Sequence, residues 1–137
     1  MENCIFCKIA KGEIPSNKVY EDENVVAFLD IAPVNIGHSL VISKKHFTNI
    51  YDMPEEILSG MMKAAKNISR TIKSELKADG INVTMNNDPA AGQIILHAHI
   101  HVIPRFQNDG FGVWRGKRPY KEGEANEVAK KIIVSTP

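Results

Sequence analysis

The alternation of histidine with apolar residues over residues 97–102 constrains the fold of this chain more than any other feature. Successive side chains of a β-strand point to opposite faces of a sheet, so Ala98, Ile100 and Val102 are expected to enter a core. The opposite face then carries a row made up of His97, His99 and His101. A single histidine is usually a structural residue. Three in strict alternation indicate function, since a merely polar face would more naturally use Thr, Lys or Glu.

Length and composition indicate one soluble globular unit. The 137 residues, 43% of them hydrophobic and 24% charged, suit a single domain spanning 1–137, in which residues 107–137 form a C-terminal tail. The net charge of +1 provides no long-range field for nucleic acid or anionic membranes. Neither a secretion signal nor a stretch of about twenty apolar residues is recognisable in the sequence. We therefore expect a cytoplasmic protein that binds neither nucleic acid nor membranes.

One long amphipathic helix is predicted between Pro54 and Ala78, because apolar residues recur there at spacings of three or four. These residues are Ile57, Met61, Ala65, Ile68, Ile72 and Leu76. Pro54 suits the first turn, Asp52 is the expected N-cap, and Gly80 is the expected stop.

Strands and short helical segments are predicted on both sides of this helix. The predicted segments are a helical turn over 4–11, a hairpin of 18–21 with 25–30, a loop over 31–37, strands over 38–43, 81–86 and 94–103, the last closed by Pro104, and a helix near 124–134. This order favours an α+β fold, with an antiparallel sheet of about five strands and one long helix plus short terminal helices on one side.

The only two cysteines, Cys4 and Cys7, have the C-x-x-C spacing. In a reducing compartment such a pair is more often a metal or redox pair than a structural disulfide. A thioredoxin-like role is disfavoured because no strand is predicted before Cys4. The pair supplies half of a tetrahedral zinc site, and the alternative is two buried free cysteines with a surface histidine at His46.

The histidine row itself is compatible with two kinds of chemistry, because imidazoles bind transition metals and also attack phosphorus. The surrounding sequence favours the second. The segment 92–105 (GQIILHAHIHVIPR) resembles the histidine-triad (HIT) family of nucleotide hydrolases and transferases. The likeness extends over roughly 4–106 and includes 4–9 (CIFCKI), 28–33 (FLDIAP), 37–46 (GHSLVISKKH) and Asn86.

The resemblance implies a HIT-like fold and a covalent mechanism. His99 is expected to attack the α-phosphorus of a nucleotide and to carry the nucleotidyl group until water releases it. The family pattern also implies that His101 hydrogen-bonds the phosphate near the bridging atom and that His38 completes the histidine set. Gln93 and the main-chain amides beside it are expected to steady the non-bridging oxygens.

The resemblance also implies a nucleotide pocket. Asp30 is expected to hold the ribose hydroxyls, Phe28 and Ile31 to offer apolar surface to the base or ribose, and Asn86 to contact the substrate. Each polar or aromatic member has a structural alternative. Asp30 is also suited to cap a turn before Pro33, Phe28 to lie in the core, and Asn86 simply to end its strand.

Ile94 departs from the pattern of the phosphoramidase branch, although the resemblance implies that its position lines the nucleotide site. That branch often has a serine there, which helps to protonate the leaving group. Ile94 has no hydroxyl, so either His101 supplies this proton or the protein is slower on amine leaving groups than on phosphate ones.

In zinc-containing members of the family, two histidines complete the cysteine pair. The matching residues are His46 and His97, so the resemblance implies a structural Zn²⁺ held by Cys4, Cys7, His46 and His97. Such a metal would pin the histidine segment to the amino-terminal turn.

We therefore expect a hydrolase that releases a nucleoside monophosphate, a purine one, from phosphoramidates or dinucleoside polyphosphates. The alternatives are a non-catalytic nucleotide-binding module and a metal-handling protein that uses the histidine row directly. A homodimer is implied, since family members pair through the long helix and an edge strand. In the tail, Phe111 and Trp114 are candidates to cover a substrate or a dimer seam.

Overall fold

A five-stranded antiparallel sheet forms the centre of the computed structural model, which describes residues 3–112 and 116–134. The strands are β1 (Lys18–Glu21), β2 (Val25–Leu29), β3 (Ser39–Ser43), β4 (Gly80–Met85) and β5 (His99–Arg105). Their spatial order is β1-β2-β3-β5-β4. Because β5 lies between β3 and β4, the histidine segment is next to the strand that follows His38.

The long helix α2 (Glu55–Glu75) covers one face of the sheet. Its buried stripe is Met61, Ala64, Ala65, Ile68 and Ile72. These side chains pack against Val25, Ala27, Val41, Ile100 and Val102 of the strands. The predicted 3.6-residue periodicity therefore describes the buried face of the helix, except that Leu76 is exposed.

A short helix, α1 (Ile5–Ala10), packs on the opposite face of the sheet. Its Phe6 and Ile9 join the alternate strand residues Val26, Phe28 and Leu40 in a second core. The α+β class with five antiparallel strands is confirmed. The placement of the helices on one side is corrected for α1, because β2 and β3 are buried on both faces and both need cover.

The third helix, α3 (Glu124–Ile132), contributes no buried residue to either core. It ends two residues earlier than the predicted segment. Trp114 lies outside the described residues. Within the described ranges, no helix is long and apolar enough to cross a bilayer.

Both ends of α2 differ from the prediction. Pro54 is itself the N-cap, and Asp52 instead closes a short 3-10 turn through a capping box with Asn49. At the other end the helix is capped by Leu76, and Lys77 takes the left-handed conformation with φ 57°. Gly80 is therefore not the stop, and it begins β4.

The histidine strand is shifted relative to the predicted 94–103 run. β5 begins at His99, because the N–H of Ala98 donates to the carbonyl of Phe47 (2.7 Å) and not to a neighbouring strand. β5 also continues through Pro104, which pairs with Ile81 of β4 although it has no N–H to donate.

Candidate active site

The histidines of β5 lie on the face opposite the α2 core. Ile100 and Val102 are fully buried in that core, while the rings of His99 and His101 lie side by side with centroids 5.0 Å apart. The predicted alternation is confirmed for these residues. His97 precedes the strand, so its position is set by the bend before β5.

His99 is held with one ring nitrogen free. Its Nδ1 lies 2.7 Å from the carbonyl oxygen of His97, and because a carbonyl only accepts, Nδ1 must carry the hydrogen. The lone pair is then on Nε2. Phe6 of α1 packs edge-on against the ring, with centroids 5.1 Å apart. Burial lowers the pKa of His99 below its usual 6.5, which favours the neutral, nucleophilic form at pH 7.

A chain of hydrogen bonds fixes the tautomers of His38 and His101. The main-chain N–H of Val34 donates to Nδ1 of His38 (3.1 Å), so the hydrogen of neutral His38 is on Nε2. That Nε2 lies 2.9 Å from Nδ1 of His101 and donates to it. His101 therefore carries its own hydrogen on Nε2. Burial lowers the pKa of His38 and lowers that of His101 to about 4, so both rings are neutral near pH 7.

This arrangement disfavours direct metal handling by the row. Asp30, His38 and His101 have their polar atoms within 4.8 Å of one another. Both ring nitrogens of His38 are committed, however, Nδ1 to the N–H of Val34 and Nε2–H to His101. A metal would have to displace one of these bonds. The arrangement is suited instead to a nucleophile, His99, beside a hydrogen-bond donor, His101.

Asp30 lies beside the histidines and closes a turn. Its Oδ1 accepts the N–H of Ala32 (2.9 Å), and its Oδ2 lies 3.7 Å from Nε2 of His38. Oδ1 of Asp30 thus caps the turn before Pro33. The next side chain, Ile31, is 98% exposed.

Three other predicted nucleotide contacts differ in their exposure and in their position in the fold. Phe28 is 3% exposed and packs against Phe6, with centroids 5.6 Å apart, so it is a core residue. Ile94 is almost fully exposed. Asn86 directly follows β4, and its side chain lies beside Gly92. The two are so close that a Cβ at position 92 would lie 3.4 Å from Nδ2 of Asn86.

The expectation for the Gln93 side chain is corrected. Its Nε2 donates to the carbonyls of Thr48 (2.6 Å) and Ile95 (3.2 Å), and its Oε1 accepts the N–H of Asp88 (2.8 Å). The side chain is 2% exposed, and its amide hydrogens are both used by carbonyls. Gln93 thus holds the loop before the histidines and is not free to bind phosphate oxygens.

A second cluster brings together the two cysteines, His46 and His97, with ligand atoms within 4.8 Å of one another. The Sγ of Cys4 and the Sγ of Cys7 lie 3.4 Å and 3.6 Å from Nδ1 of His97, and Cys7 lies 3.4 Å from Nδ1 of His46. Nε2 of His97 donates to the carbonyl of Ser43 (2.8 Å), which leaves Nδ1 as the lone-pair nitrogen. Two thiols and two imidazoles, one of them oriented by an outer carbonyl, form a donor set that fits Zn²⁺.

The electrostatics of this cluster also fit a cation. Burial lowers the pKa of His97 to about 4 and lowers that of His46, so both imidazoles are unprotonated at pH 7. Burial raises the pKa of the Cys7 thiol, which disfavours its thiolate in the absence of a positive charge. A bound dication would reverse that preference.

Comparison with known proteins identifies the family. Residues 11–108 match the family model described as the HIT domain. The chain belongs to the HIT domain family. Among its relatives, Protein hit of Bacillus subtilis is 46% identical over 134 residues, which cover 96% of this chain and 92% of the relative. Adenylylsulfatase HINT3 of Arabidopsis thaliana is 41% identical over 107 residues, which cover 78% of this chain and 54% of the relative.

Solved structures of HIT proteins share the fold of this HIT chain. A member of the HIT family from Bacillus subtilis superposes with a TM-score of 0.88 at 43% identity, covering 98% of this chain and 99% of the other. A Zn-bound histidine triad family protein from Mycobacterium smegmatis superposes with a TM-score of 0.78 at 39% identity, covering 85% of each chain. The histidine-triad family identified from the sequence is thus confirmed.

Three contributors to this HIT site were missed by sequence reasoning. Phe6 packs against both His97 and His99, and its position between the two cysteines was the available signal. The N–H of Val34 orients His38, and the carbonyl of Ser43 orients His97. Both are main-chain groups, so the identity of the residue gives no signal of the contact.

Proposed function

We propose that this HIT protein is a nucleotide hydrolase that releases a nucleoside monophosphate from phosphoramidates or dinucleoside polyphosphates. The observation that carries the proposal is the pair of fixed tautomers, with a free Nε2 on His99 and an Nε2–H on the neighbouring His101. The name of the Arabidopsis relative, adenylylsulfatase, supports cleavage at a nucleotide phosphorus.

The first step uses both histidines. Nε2 of His99 attacks the α-phosphorus, a P–N bond forms, and the bond from phosphorus to the leaving group breaks. The Nε2–H of His101 donates a hydrogen bond to the departing oxygen or nitrogen, and a leaving group that must be protonated takes its proton from solvent. His38 keeps its Nε2–H on Nδ1 of His101 along their 2.9 Å contact, so both rings stay neutral, while the adduct leaves His99 as an imidazolium that retains its Nδ1–H. This route needs no hydroxyl at position 94.

The second step returns the enzyme to its starting state. Water attacks the phosphorus of the nucleotidyl-His99 adduct, the P–N bond breaks, and the nucleoside monophosphate leaves. The proton released by the water passes to solvent. His99 is left with its Nδ1–H still bound to the carbonyl of His97.

The pocket residues have different proposed roles. Oδ2 of Asp30 lies 3.7 Å from Nε2 of His38, so it is within reach of the ribose hydroxyls of a nucleotide whose phosphate lies at the histidines. Its Oδ1 keeps the hydrogen bond from the N–H of Ala32. Ile31 and Ile94 are exposed and offer apolar surface to a purine base or the ribose. Phe28 supports that surface from the core, and Asn86 contacts the substrate beside Gly92.

We propose a structural Zn²⁺ at Cys4, Cys7, His46 and His97. When bound, the ion would cross-link α1 to the segment before β5 and supply no reacting group. The zinc-bound mycobacterial neighbour and the donor set of this chain support the proposal. As in the family pattern, we also propose a homodimer formed through α2 and the edge strand β4, and a cytoplasmic location.

Turnover of two substrates tests the hydrolase proposal. Wild-type protein is incubated with an adenylate phosphoramidate and with a diadenosine polyphosphate, and nucleoside monophosphate is measured. We expect product from at least one of them. In His99→Asn, the Asn Nδ2 can keep the bond to the His97 carbonyl but Nε2 is lost, so kcat is expected to fall on the order of a thousandfold or more.

The same assay separates the hydrolase from its rivals. Nucleotide bound by wild type without product from either substrate would overturn the hydrolase and favour a binding module. Zinc lost from His99→Asn would favour a protein that handles metal with the histidine row.

A further inference from the structure

The loop between β2 and β3 holds His38 through its main chain. The N–H of Val34 donates to Nδ1 of His38, and the N–H of His38 donates to the carbonyl of Asn35 (3.0 Å). Two neighbouring loop residues thus fix both the ring and the backbone of His38. Any movement of this loop alters the donor that decides the His38 tautomer.

Asn35 also fastens this loop to another part of the chain. Its Nδ2 donates to the carbonyl of Pro104 in β5 (2.8 Å) and to Oδ2 of Asp109 (3.0 Å). Both amide hydrogens are used, and both acceptors lie about seventy residues away along the chain. This contact joins the His38 loop to the strand that carries His101 and to the turn after it.

Asp109 is a rigid acceptor for Asn35. Its carboxylate receives Nε and Nη2 of Arg105 (2.8 and 2.9 Å) and the N–H groups of Phe106 and Phe111 (3.1 Å each). Its side chain is 8% exposed. Arg105 in turn donates Nη1 to Oδ1 of Asn82 in β4 (2.7 Å). The bidentate ion pair and its supporting bonds therefore connect Asn35 to two strands of the sheet.

We propose that Asn35, held by Asp109 and Arg105, is a positioning residue that keeps the Val34 N–H on His38 and thereby keeps the donor hydrogen of His101 on Nε2. An unbroken series of hydrogen bonds and one peptide linkage runs from Asp109 through Asn35, Val34 and His38 to His101. The consequence for turnover rests on the proposed hydrolase function. The consequence for the tautomers does not, since it concerns the free protein.

Asn35→Leu tests the inference, because leucine has a similar size and no donor. Ile36→Ala is the matched control, since it shortens an exposed side chain in the same loop at a residue outside these contacts. Histidine tautomers are measured by ¹⁵N imidazole NMR on ligand-free, zinc-loaded protein at pH 7.5. We expect Nε2–H on His38 and His101 in wild type and Ile36→Ala, and mixed tautomers in Asn35→Leu.

Kinetics and thermal unfolding complete the test. In Asn35→Leu we expect kcat to fall about tenfold, with KM changed less than about twofold, because the reacting groups and not the pocket are misplaced. If Asn35→Leu does not fold, the same measurements are made on Asn35→Ala, which leaves room for water to replace the lost donors. Single Nε2–H tautomers in the folded variant, with only a lower unfolding temperature, would overturn the inference.

The two proposals fail separately. Wild-type protein that releases no nucleoside monophosphate would overturn the hydrolase, while the tautomer comparison would still decide the role of Asn35. Normal turnover by wild type with unchanged tautomers in the variant would leave the hydrolase intact and remove the positioning role.

Discussion

At the scale of single residues, the site is controlled by where three imidazole hydrogens lie. The carbonyl of His97 holds one on Nδ1 of His99, and the N–H of Val34 forces the other two onto Nε2 of His38 and His101. All three rings have pKa values lowered by burial, so they remain neutral near pH 7. Neutral rings allow one histidine to be a nucleophile while its neighbour is a donor.

The same burial predicts that acid destabilises the protein. Between pH 6.5 and about 4, His101 is protonated in the unfolded chain but neutral in the native one, so the unfolded state binds more protons. The free energy of unfolding should therefore fall as the pH falls through this range. Urea unfolding at pH 7.5 and 5.5 measures the loss.

His101→Gln is the control for this pH effect, since it removes one of the groups that titrate and leaves the cysteine–histidine cluster intact. The decline in stability should be smaller in this variant than in wild type. Equal declines in the two proteins would contradict the assignment of a depressed pKa to His101.

At the scale of elements, the sequence predicts where strands and helices lie better than where they end. Periodicity located α2, because that pattern follows from burying one face, whereas a polar turn between two β-rich runs located the hairpin. The start of β5 depends on an N–H of Ala98 that pairs with Phe47, a contact made only in the folded chain. Similarly, the histidines could be named from their alternation, but their tautomers depend on main-chain groups from other segments.

Gln93 is a second case in which the sequence motif identifies the residue but not the contacts that its side chain makes. Since its amide holds Thr48, Asp88 and Ile95, Gln93→Ala should leave buried main-chain groups without partners and lower the free energy of unfolding by about 1–3 kcal/mol. Urea unfolding measures this. Gln107→Ala, at an exposed position, should change stability little. A large loss of turnover in Gln93→Ala with unchanged stability would favour phosphate binding instead.

At the scale of the whole molecule, the cysteine–histidine cluster lies where separate layers meet. Cys4 and Cys7 belong to the segment of α1 on one face of the sheet, whereas His46 follows β3 and His97 precedes β5. A metal there would hold α1, and with it Phe6, against His99. The site would thus depend on a cluster that takes no part in the reaction.

We therefore predict one zinc per chain, measured by elemental analysis. Cys4→Ser should lose this zinc and unfold roughly 5–10 °C lower than wild type, which corresponds to about 1.5–3 kcal/mol for a domain of this size. His99→Asn should retain the metal. Zinc-free wild-type protein with the same unfolding temperature as zinc-loaded protein would contradict a structural role.

The most direct test of the account is to look for the covalent intermediate. Wild-type protein is quenched with denaturant during turnover of an adenylate phosphoramidate, kept at alkaline pH because P–N bonds to histidine break in acid, and examined by mass spectrometry. We predict one nucleoside monophosphoryl group per modified chain, located on His99 and absent from His99→Asn. Steady release of nucleoside monophosphate by His99→Asn at the wild-type rate, or an adduct on another residue, would contradict the account.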